Sequence, residues 1–424
     1  MTPNAPEAPD HTPARFLLEL ARDLHEAGTP GHRLEEAMGA IAGRLGMEAE
    51  IFSTPTSIFA AIGPLGEQRT YMLRVEPGEP DLERLTRVQD VISRVASGTL
   101  TPAQGLSALD EIPSPSNRYG RTATLAAFGV VSAGSAVFFG GSLGDLFAAL
   151  ITGLIVGAAT IFASANRELR RVIETIAAAL AAVAALVLER YAAPALIEMG
   201  AEWASVDAFR VTLSGLIGLL PGLTLTLAMN ELANGQLVSG TGRLTHALMV
   251  LLSVGFGVAL GRSLAPALPE VIFEASALPL WALPIGLALT PIAVTVFFRG
   301  RPRDLPLIVV TSVAGFYAAR AGAAWIGPAL GASVGAFVVG AIANVSSRVL
   351  RQPSAIAAIP ALLLLVPGSL GYRSVEALLG EDATAGVQGL FTTLLVGASL
   401  VAGLLLSNIA VPLDRVVPED VKTG

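Results

Sequence analysis

The sequence has no cysteine and a single lysine, Lys422, among 424 residues. Without cysteine the chain can form no disulfide, no thiolate metal site and no cysteine nucleophile. With only one lysine, a P-loop, a Schiff-base lysine and a kinase-type lysine are excluded. Only four histidines are present. We therefore predict no metal site, no cofactor and no enzymatic activity.

Charged residues are also scarce, at 14% of the chain, whereas 53% of the residues are hydrophobic and the mean hydropathy is +0.64. This composition is too apolar for a soluble protein of this length and predicts a polytopic membrane protein, mainly α-helical. The net charge of -7 argues against nucleic acid as a partner.

The first hundred residues differ in composition from the rest. Residues 1–13 carry four prolines and no basic or apolar stretch, which predicts a short disordered tail and no signal peptide. Residues 14–112 read as a small soluble α+β domain. Its predicted elements are two helices separated by a turn at 28–31, strands at 49–53, 57–62 and 69–75, a helix at 81–96 and a shorter helix from 101. Residues 113–122 would link this domain to the membrane.

One polar cluster in this domain has two interpretations. His25, Glu26, His32, Glu35 and Glu36 lie close together in sequence, as in a metal or hydrolase site. The spacing matches no zinc motif, because the two histidines fall on different helices. We interpret the cluster as a solvated polar face, and a site stays the alternative.

Ten apolar segments follow, each long enough to cross a bilayer. They lie near 123–140, 145–163, 172–190, 206–228, 244–261, 278–298, 304–320, 326–345, 354–373 and 387–410. They divide into two membrane units of five spans, residues 123–262 and 278–410, with a tail at 411–424. Connections on the side of the soluble domain carry thirteen basic residues and the opposite connections five, so both termini are predicted to be cytoplasmic.

The two membrane units share internal features. Asp145 and Asp304 open the second and seventh spans, and Pro221-Gly222 and Pro367-Gly368 interrupt the fourth and ninth, at an offset of about 150 residues in both cases. Each unit has an odd number of spans, so equivalent helices would cross in opposite directions, and the basic bias of equivalent connections is indeed reversed. This pattern predicts a 5+5 inverted repeat, which is typical of alternating-access transporters. Chance kinks in a chain rich in proline and glycine are the alternative.

The Pro-Gly pairs should break their helices, because proline removes a backbone donor and glycine adds backbone freedom. Broken backbone in a membrane is tolerated where it faces protein or a watery cavity, so we predict a substrate site between the two breaks. Its candidate residues are Pro221, Gly222, Thr224, Thr226, Asn230, Pro367, Gly368, Ser369 and Tyr372. For the threonines, hydrogen bonding to their own helix is an equal alternative.

A proton-coupled carrier also needs a titratable carboxyl group. The candidates are Glu231, Asp145, Glu174 and Asp304. Asp145 and Asp304 stand where a helix cap would, and we favour capping for both. Glu174 follows two arginines and could instead pair with them.

Several motifs resemble the threonine/serine exporter family. They are Gly31-His-Arg-Leu-Glu-Glu36 in the soluble domain, Phe139-Gly-Gly-Ser-Leu-Gly-Asp145, and the stretch from Leu219-Leu-Pro-Gly through Asn230-Glu-Leu to Arg243. Arg351-Gln-Pro353 and Leu365-Val-Pro-Gly368 with Tyr372 are similar to the smaller partner domain of that family. The order and spacing of these motifs carry the resemblance from about residue 14 onward.

The resemblance implies a bacterial inner-membrane secondary transporter that exports small hydroxy amino acids with the proton motive force. Dicarboxylate export is also linked to the family. Relatives often carry an aspartate after the first Pro-Gly helix, where this chain has Asn230-Glu231. A passive channel, and a membrane-bound enzyme or sensor acting through the soluble domain, are the alternatives from other classes. The expected partners are an amino acid, protons and lipid. The sequence leaves the oligomeric state open, with a homo-oligomer as one alternative.

Overall fold

The computed structural model describes residues 11–76, 78–113, 118–264, 278–365, 367–380 and 382–412. The predicted tails at 1–13 and 411–424 lie almost entirely outside these ranges, as does most of the connection between the two membrane units.

Residues 11–112 form a compact unit, the amino-terminal domain. Its elements are α1 (Thr12–Glu26), α2 (Gly31–Arg44), β1 (Ala49–Thr54), β2 (Ser57–Ile62), β3 (Arg69–Arg74), α3 (Leu82–Ala96) and α4 (Pro102–Asp110). The three strands pair antiparallel in the order β1-β2-β3, with Phe52 opposite Phe59 and Phe59 opposite Met72. The predicted strands and helices are confirmed to within two residues.

Local sequence explains where the helices of this domain begin. The carboxylate of Asp81 accepts a hydrogen bond from the Arg84 amide at 2.9 Å, which caps the start of α3. Thr101 and Gln104 form a reciprocal capping box at the start of α4. The apolar faces of these helices, spaced by three and four residues, form one core against the sheet.

The described residues from 121 onward form the membrane half. Its helices are α5 (Arg121–Phe138), α6 (Leu143–Ala163), α7 (Arg167–Arg170), α8 (Ile173–Val187), α9 (Ala193–Glu198), α10 (Ala208–Gly215), α11 (Gly222–Ala233), α12 (Leu237–Leu264), α13 (Ala282–Phe297), α14 (Leu305–Ile326), α15 (Pro328–Leu350), α16 (Ala355–Leu363), α17 (Gly368–Leu379) and α18 (Ala383–Ala410). A π-helical turn, Leu188–Ala192, joins α8 to α9, and short 3-10 turns stand at Glu202–Ala204 and Pro302–Asp304.

Eight helical segments in the described part of the chain are long and apolar enough to span a membrane. The count of ten spans is therefore not confirmed. The predicted fourth span consists of two short helices, α10 and α11, and the sixth, α13, has 16 residues. Each of the ten predicted segments nevertheless contains α-helix in its described residues.

Glycines allow several of these helices to pack closely. A Cβ added at Gly257 would lie 2.3 Å from the Thr175 carbonyl oxygen of α8, and one at Gly261 would lie 2.5 Å from that of Ala179. A Cβ at Gly331 of α15 would lie 2.2 Å from the Ala323 nitrogen of α14. Gly257, Gly261 and Gly331 thus lie at helix contacts, as small residues do in membrane helix packing.

Helices at equivalent positions in residues 123–262 and 278–410 pack against equivalent partners. Helix α8 packs on α12 as α15 packs on α18, and α11 packs on α12 as α17 packs on α18. Likewise α6 contacts α10, and α14 contacts α16.

Candidate functional site

Both Pro-Gly pairs interrupt helices, as predicted. Helix α10 ends at Gly215 and α11 begins at Gly222, directly after Pro221. Helix α16 ends at Leu363 and α17 begins at Gly368, directly after Pro367. Each proline stands directly before the second half, where its missing amide costs nothing because the first amides of a helix have no helical partner. The first halves end six and four residues earlier, at Gly215 and Leu363.

The starts of α11 and α17 touch each other. A Cβ added at Gly368 would lie 3.1 Å from the Gly222 Cα and 3.2 Å from its nitrogen. We call Pro221, Gly222, Pro367 and Gly368 the helix junction. Helix starts present amides without helical partners and a partial positive charge, so two of them meet at this point. The sequence predicted the breaks, and only the tertiary structure brings them together.

The hydroxyl candidates beside the junction are of two kinds. Thr226 is buried and its Oγ1 donates to the Gly222 carbonyl oxygen at 3.1 Å, so hydrogen bonding within its own helix applies to it. Thr224 and Ser369 are half-buried near the two helix starts. Asn230 lies near the far end of α11, where its carbonyl accepts from the Asn234 amide nitrogen. Thr224 and Ser369 thus flank the junction, and Asn230 does not.

Tyr372 lies one turn into α17 and is fully buried. Its ring stacks on Phe209 of α10, with centroids 6.3 Å apart, and its hydroxyl has no hydrogen-bond partner among the described residues. The Arg373 guanidinium lies 5.7 Å from the ring centroids of Phe139 and Phe209. An aromatic cluster therefore joins the second half of one broken helix to the first half of the other.

Glu231 lies at the far end of α11, about nine residues from the junction. Its side chain is fully buried, and it accepts from Arg243 Nε at 3.0 Å, Ser239 Oγ at 2.9 Å and the Gly31 amide at 3.2 Å. Gly31 belongs to the amino-terminal domain. The carboxylate is thus an anchor between domains in this structure.

Asp145 is also buried and ion-paired. It accepts from Arg210 Nη1 at 2.9 Å and from the Asp207 amide at 2.7 Å. Its carboxylate and Ser142 form a reciprocal capping box in which Ser142 is the cap and Asp145 the third helical residue. Asp145 therefore takes part in helix capping, although one turn inside the expected cap position.

The two remaining carboxylates lie at helix ends. Asp304 directly precedes α14 without a side-chain capping bond, and lies 3.8 Å from Arg303 Nε. Glu174 is half-buried in the first turn of α8, and Arg171, a proposed partner, pairs instead with Glu168 at 3.3 Å. All four proton-coupling candidates thus stand within a turn of a helix end.

Two family models match the chain. A threonine/serine exporter model covers residues 15–265, and a second, described as threonine/serine exporter, ThrE, covers residues 285–410. The chain belongs to the threonine/serine exporter family. The larger and smaller exporter domains are fused in one chain, as the sequence motifs indicated.

Fungal proteins are among the relatives of this exporter-family chain. An uncharacterized protein of Schizosaccharomyces pombe is 25% identical over 94% of this chain and 53% of its own length. Pheromone-regulated membrane protein 10 of Debaryomyces hansenii is 24% identical over 85% of this chain and 36% of its own length, and that of Saccharomyces cerevisiae is 25% identical over 85% and 47%. The chain therefore spans about half or less of these relatives. No solved structure matches it.

The polar cluster of the amino-terminal domain is only in part the solvated face that we expected, since Glu36 is exposed and other members are covered. His25 is buried, with its Nε2 3.0 Å from the Pro55 carbonyl oxygen. Glu35 accepts from the Ser53 amide at 2.9 Å and from the Gln236 side chain of the membrane half. The expectation was wrong for His25 and Glu35, because helix periodicity marks a polar face without saying what covers it. In this exporter-family chain, Gln236 between α11 and α12 binds Glu35, and residues of the domain itself cover His25.

Burial has electrostatic consequences for two histidines of this cluster. Burial is the largest cause lowering the pKa of His25, and it lowers the pKa of His32 to about 4. Both side chains are therefore neutral at neutral pH.

Proposed function

We propose that this chain is a secondary active exporter of threonine and serine that works by alternating access, with the substrate bound at the helix junction. The observation that carries the proposal is the direct contact between the starts of α11 and α17 at Gly222 and Gly368. The partial positive charge of two helix starts suits the carboxylate of an amino acid. The Gly222 amide itself donates to the Leu220 carbonyl oxygen at 2.8 Å, so the amides that follow it in α11 would bind the carboxylate. The hydroxyl groups of Thr224 and Ser369 flank this point and could accept or donate to the substrate.

The glycine contact leaves no room for an amino acid between the two helix starts. Binding therefore requires the starts to separate, which alternating access would provide. We propose that the helices of residues 123–262 and 278–410 are two inverted units that move against each other. The equivalent helix pairs of the two units, such as α8 with α12 and α15 with α18, support this arrangement.

We also propose that both termini face the cytoplasm of a bacterial cell, with the protein in its inner membrane. The amino-terminal domain pairs with Arg299 through Asp81, and its Gly31 amide binds Glu231, the carboxylate that also pairs with Arg243. The basic-residue bias assigns both arginines to the cytoplasmic side. These contacts support a topology in which the domain and the basic connections lie on one side of the membrane.

Export would be driven by the proton gradient. Glu231 and Asp145 are each ion-paired, so a proton carrier among them would have to leave its arginine during the cycle. Glu174 and Asp304 have weaker or no arginine contacts in the described residues and remain candidates.

Threonine efflux from cells preloaded with a threonine dipeptide tests the proposal. Wild type should export, and Gly222→Leu and Gly368→Leu at equal membrane expression should each lose at least tenfold in rate. Serine and a dicarboxylate in the same assay distinguish the two substrate classes that the family suggests. Efflux that does not saturate, or shows no counterflow, would indicate a channel, and insensitivity to an imposed proton gradient would remove the coupling.

A further inference from the structure

The amino-terminal domain shares its apolar core with the membrane half. Leu223 at the start of α11 and Ile359 of α16 belong to the same buried cluster as the core of the domain. Leu227 of α11 and Leu363 of α16 pack against this cluster. The apolar core of the domain is therefore continuous with one half of each broken helix, α11 and α16.

Polar contacts hold the far end of α11 to the domain. Glu231 accepts from Gly31, the first residue of α2, where the positive end of the helix dipole adds to the attraction. Glu35 binds Gln236, and Pro55 at the tip of the β1–β2 hairpin packs on α12 at Gly242. The start of α2 and the hairpin thus contact the end of α11, the connection to α12 and the first turns of α12.

A second set of contacts holds the connection between α13 and α14. The Leu82 amide donates to the Phe298 carbonyl oxygen at 2.9 Å, and Asp81 pairs with Arg299 at 3.4 Å. The Tyr119 hydroxyl donates to the Gly300 carbonyl oxygen at 2.8 Å. Arg299 has a positive φ of 53°, uncommon outside glycine, at the turn that the domain touches.

These contacts span two units that must move relative to each other in the proposed transport cycle. Glu231 lies about 14 Å along one rigid helix from Gly222, so separation of the helix starts moves the Glu231 contact as well. A rigid domain bound to α11 and to the α13–α14 connection cannot follow both units at once. One set of contacts has to release.

We propose that the amino-terminal domain is a gate of the transport pathway, docked across α11, α16 and the α13–α14 connection, and that it undocks for this side to open. The proposal rests on the transport function proposed above. The first test below measures cysteine labelling without substrate. A negative result there contradicts the gate and leaves the proposed transport function untouched.

The first test measures labelling of a buried cysteine in the natural cysteine-free background. Leu223→Cys, at 8% exposure in the apolar cluster that α11 shares with the domain, should react with a small maleimide at least fivefold faster when Glu231→Ala loosens the docking. Leu213→Cys, fully buried on α10 outside the docked surface, should not change. Acceleration at both positions indicates general unfolding and overturns the gate, as does an unchanged rate at Leu223→Cys. If Glu231→Ala does not fold, Gln236→Ala replaces it. This variant removes a single contact with Glu35 and should also speed labelling at Leu223→Cys.

The second test locks the domain. A Cβ at Gly242 lies 3.2 Å from Pro55 Cγ, so Pro55→Cys with Gly242→Cys should form a disulfide on oxidation. Threonine export should fall at least tenfold and recover on reduction. Phe59→Cys with Met72→Cys, a directly opposed pair within the sheet, cross-links the domain to itself and should leave export unchanged. Equal export by the oxidised and reduced docking pair would overturn the proposal.

Discussion

The first broken helix, α10–α11, and the second, α16–α17, are each interrupted at a Pro-Gly pair. Their second halves begin at two glycines that touch each other. Their far ends are built differently. Near its end, helix α11 carries Glu231, which is fully buried against Arg243 and the amino-terminal domain. Helix α17 carries Glu376, paired with Arg262, whose side chain is 43% exposed.

The comparison separates what the two helices share from what distinguishes them. The junction is formed by the same backbone chemistry on both sides, which fits a common role in binding. The far ends differ in what covers them. The amino-terminal domain covers the end of α11, whereas the side chain of Arg262 pairs with Glu376 on α17. The two sides of the pathway would therefore open by different means.

The largest effect is expected at the junction itself. Gly368→Ala places a Cβ 3.1 Å from the Gly222 Cα, which has no side chain that could move aside. We expect threonine efflux to fall about tenfold. Gly286→Ala on α13 is the matched control, because the nearest atom to its Cβ would be 3.5 Å away, an ordinary contact. Efflux reduced equally in both variants would mean that the junction has no special role.

The next prediction compares the far ends. Glu231→Ala leaves Arg243 buried without its carboxylate, which should lower the free energy of unfolding by about 3 kcal/mol. Glu376→Ala removes a pair with an exposed arginine, which should cost about 1 kcal/mol or less. Thermal unfolding of both variants in the same detergent measures the difference. Similar losses in melting temperature would contradict the distinction between the two ends.

The pH dependence of the amino-terminal domain should follow His32. Its pKa of about 4 lies below the value near 6.5 of an unfolded histidine, so the unfolded state binds the proton first as pH falls. The domain should be most stable above pH 6.5 and lose up to about 3 kcal/mol between pH 6.5 and 4. Melting temperatures across this range measure it, and His32→Asn should flatten the profile. A profile that stays as steep in the variant would assign the effect to other groups, such as His25.

The smallest effect on stability is expected at Tyr372. Its hydroxyl is buried without a partner in the described residues, so Tyr372→Phe should leave the melting temperature within about 1 °C and keep the stacking on Phe209. If the hydroxyl binds substrate when the junction opens, threonine efflux should still fall severalfold. Unchanged efflux would remove Tyr372 from the site.

The sequence by itself determined much of the local structure and the family. Strong periodicities and turn residues specified the domain elements, and proline and glycine specified both helix breaks, because these signals act over a few residues. Composition alone identified a membrane protein. The ordered motifs identified the exporter family, which the family models then supported over residues 15–265 and 285–410.

Only the tertiary structure decided which of these features meet. It brought Gly222 against Gly368, a contact across about 150 positions that no local pattern encodes. It placed Glu231 under the amino-terminal domain, 200 residues from its partner Gly31, and turned part of an expected solvated face into a docking surface. Such contacts depend on how separate helices pack in three dimensions, and a polar residue has the same periodicity whether water or another domain covers it.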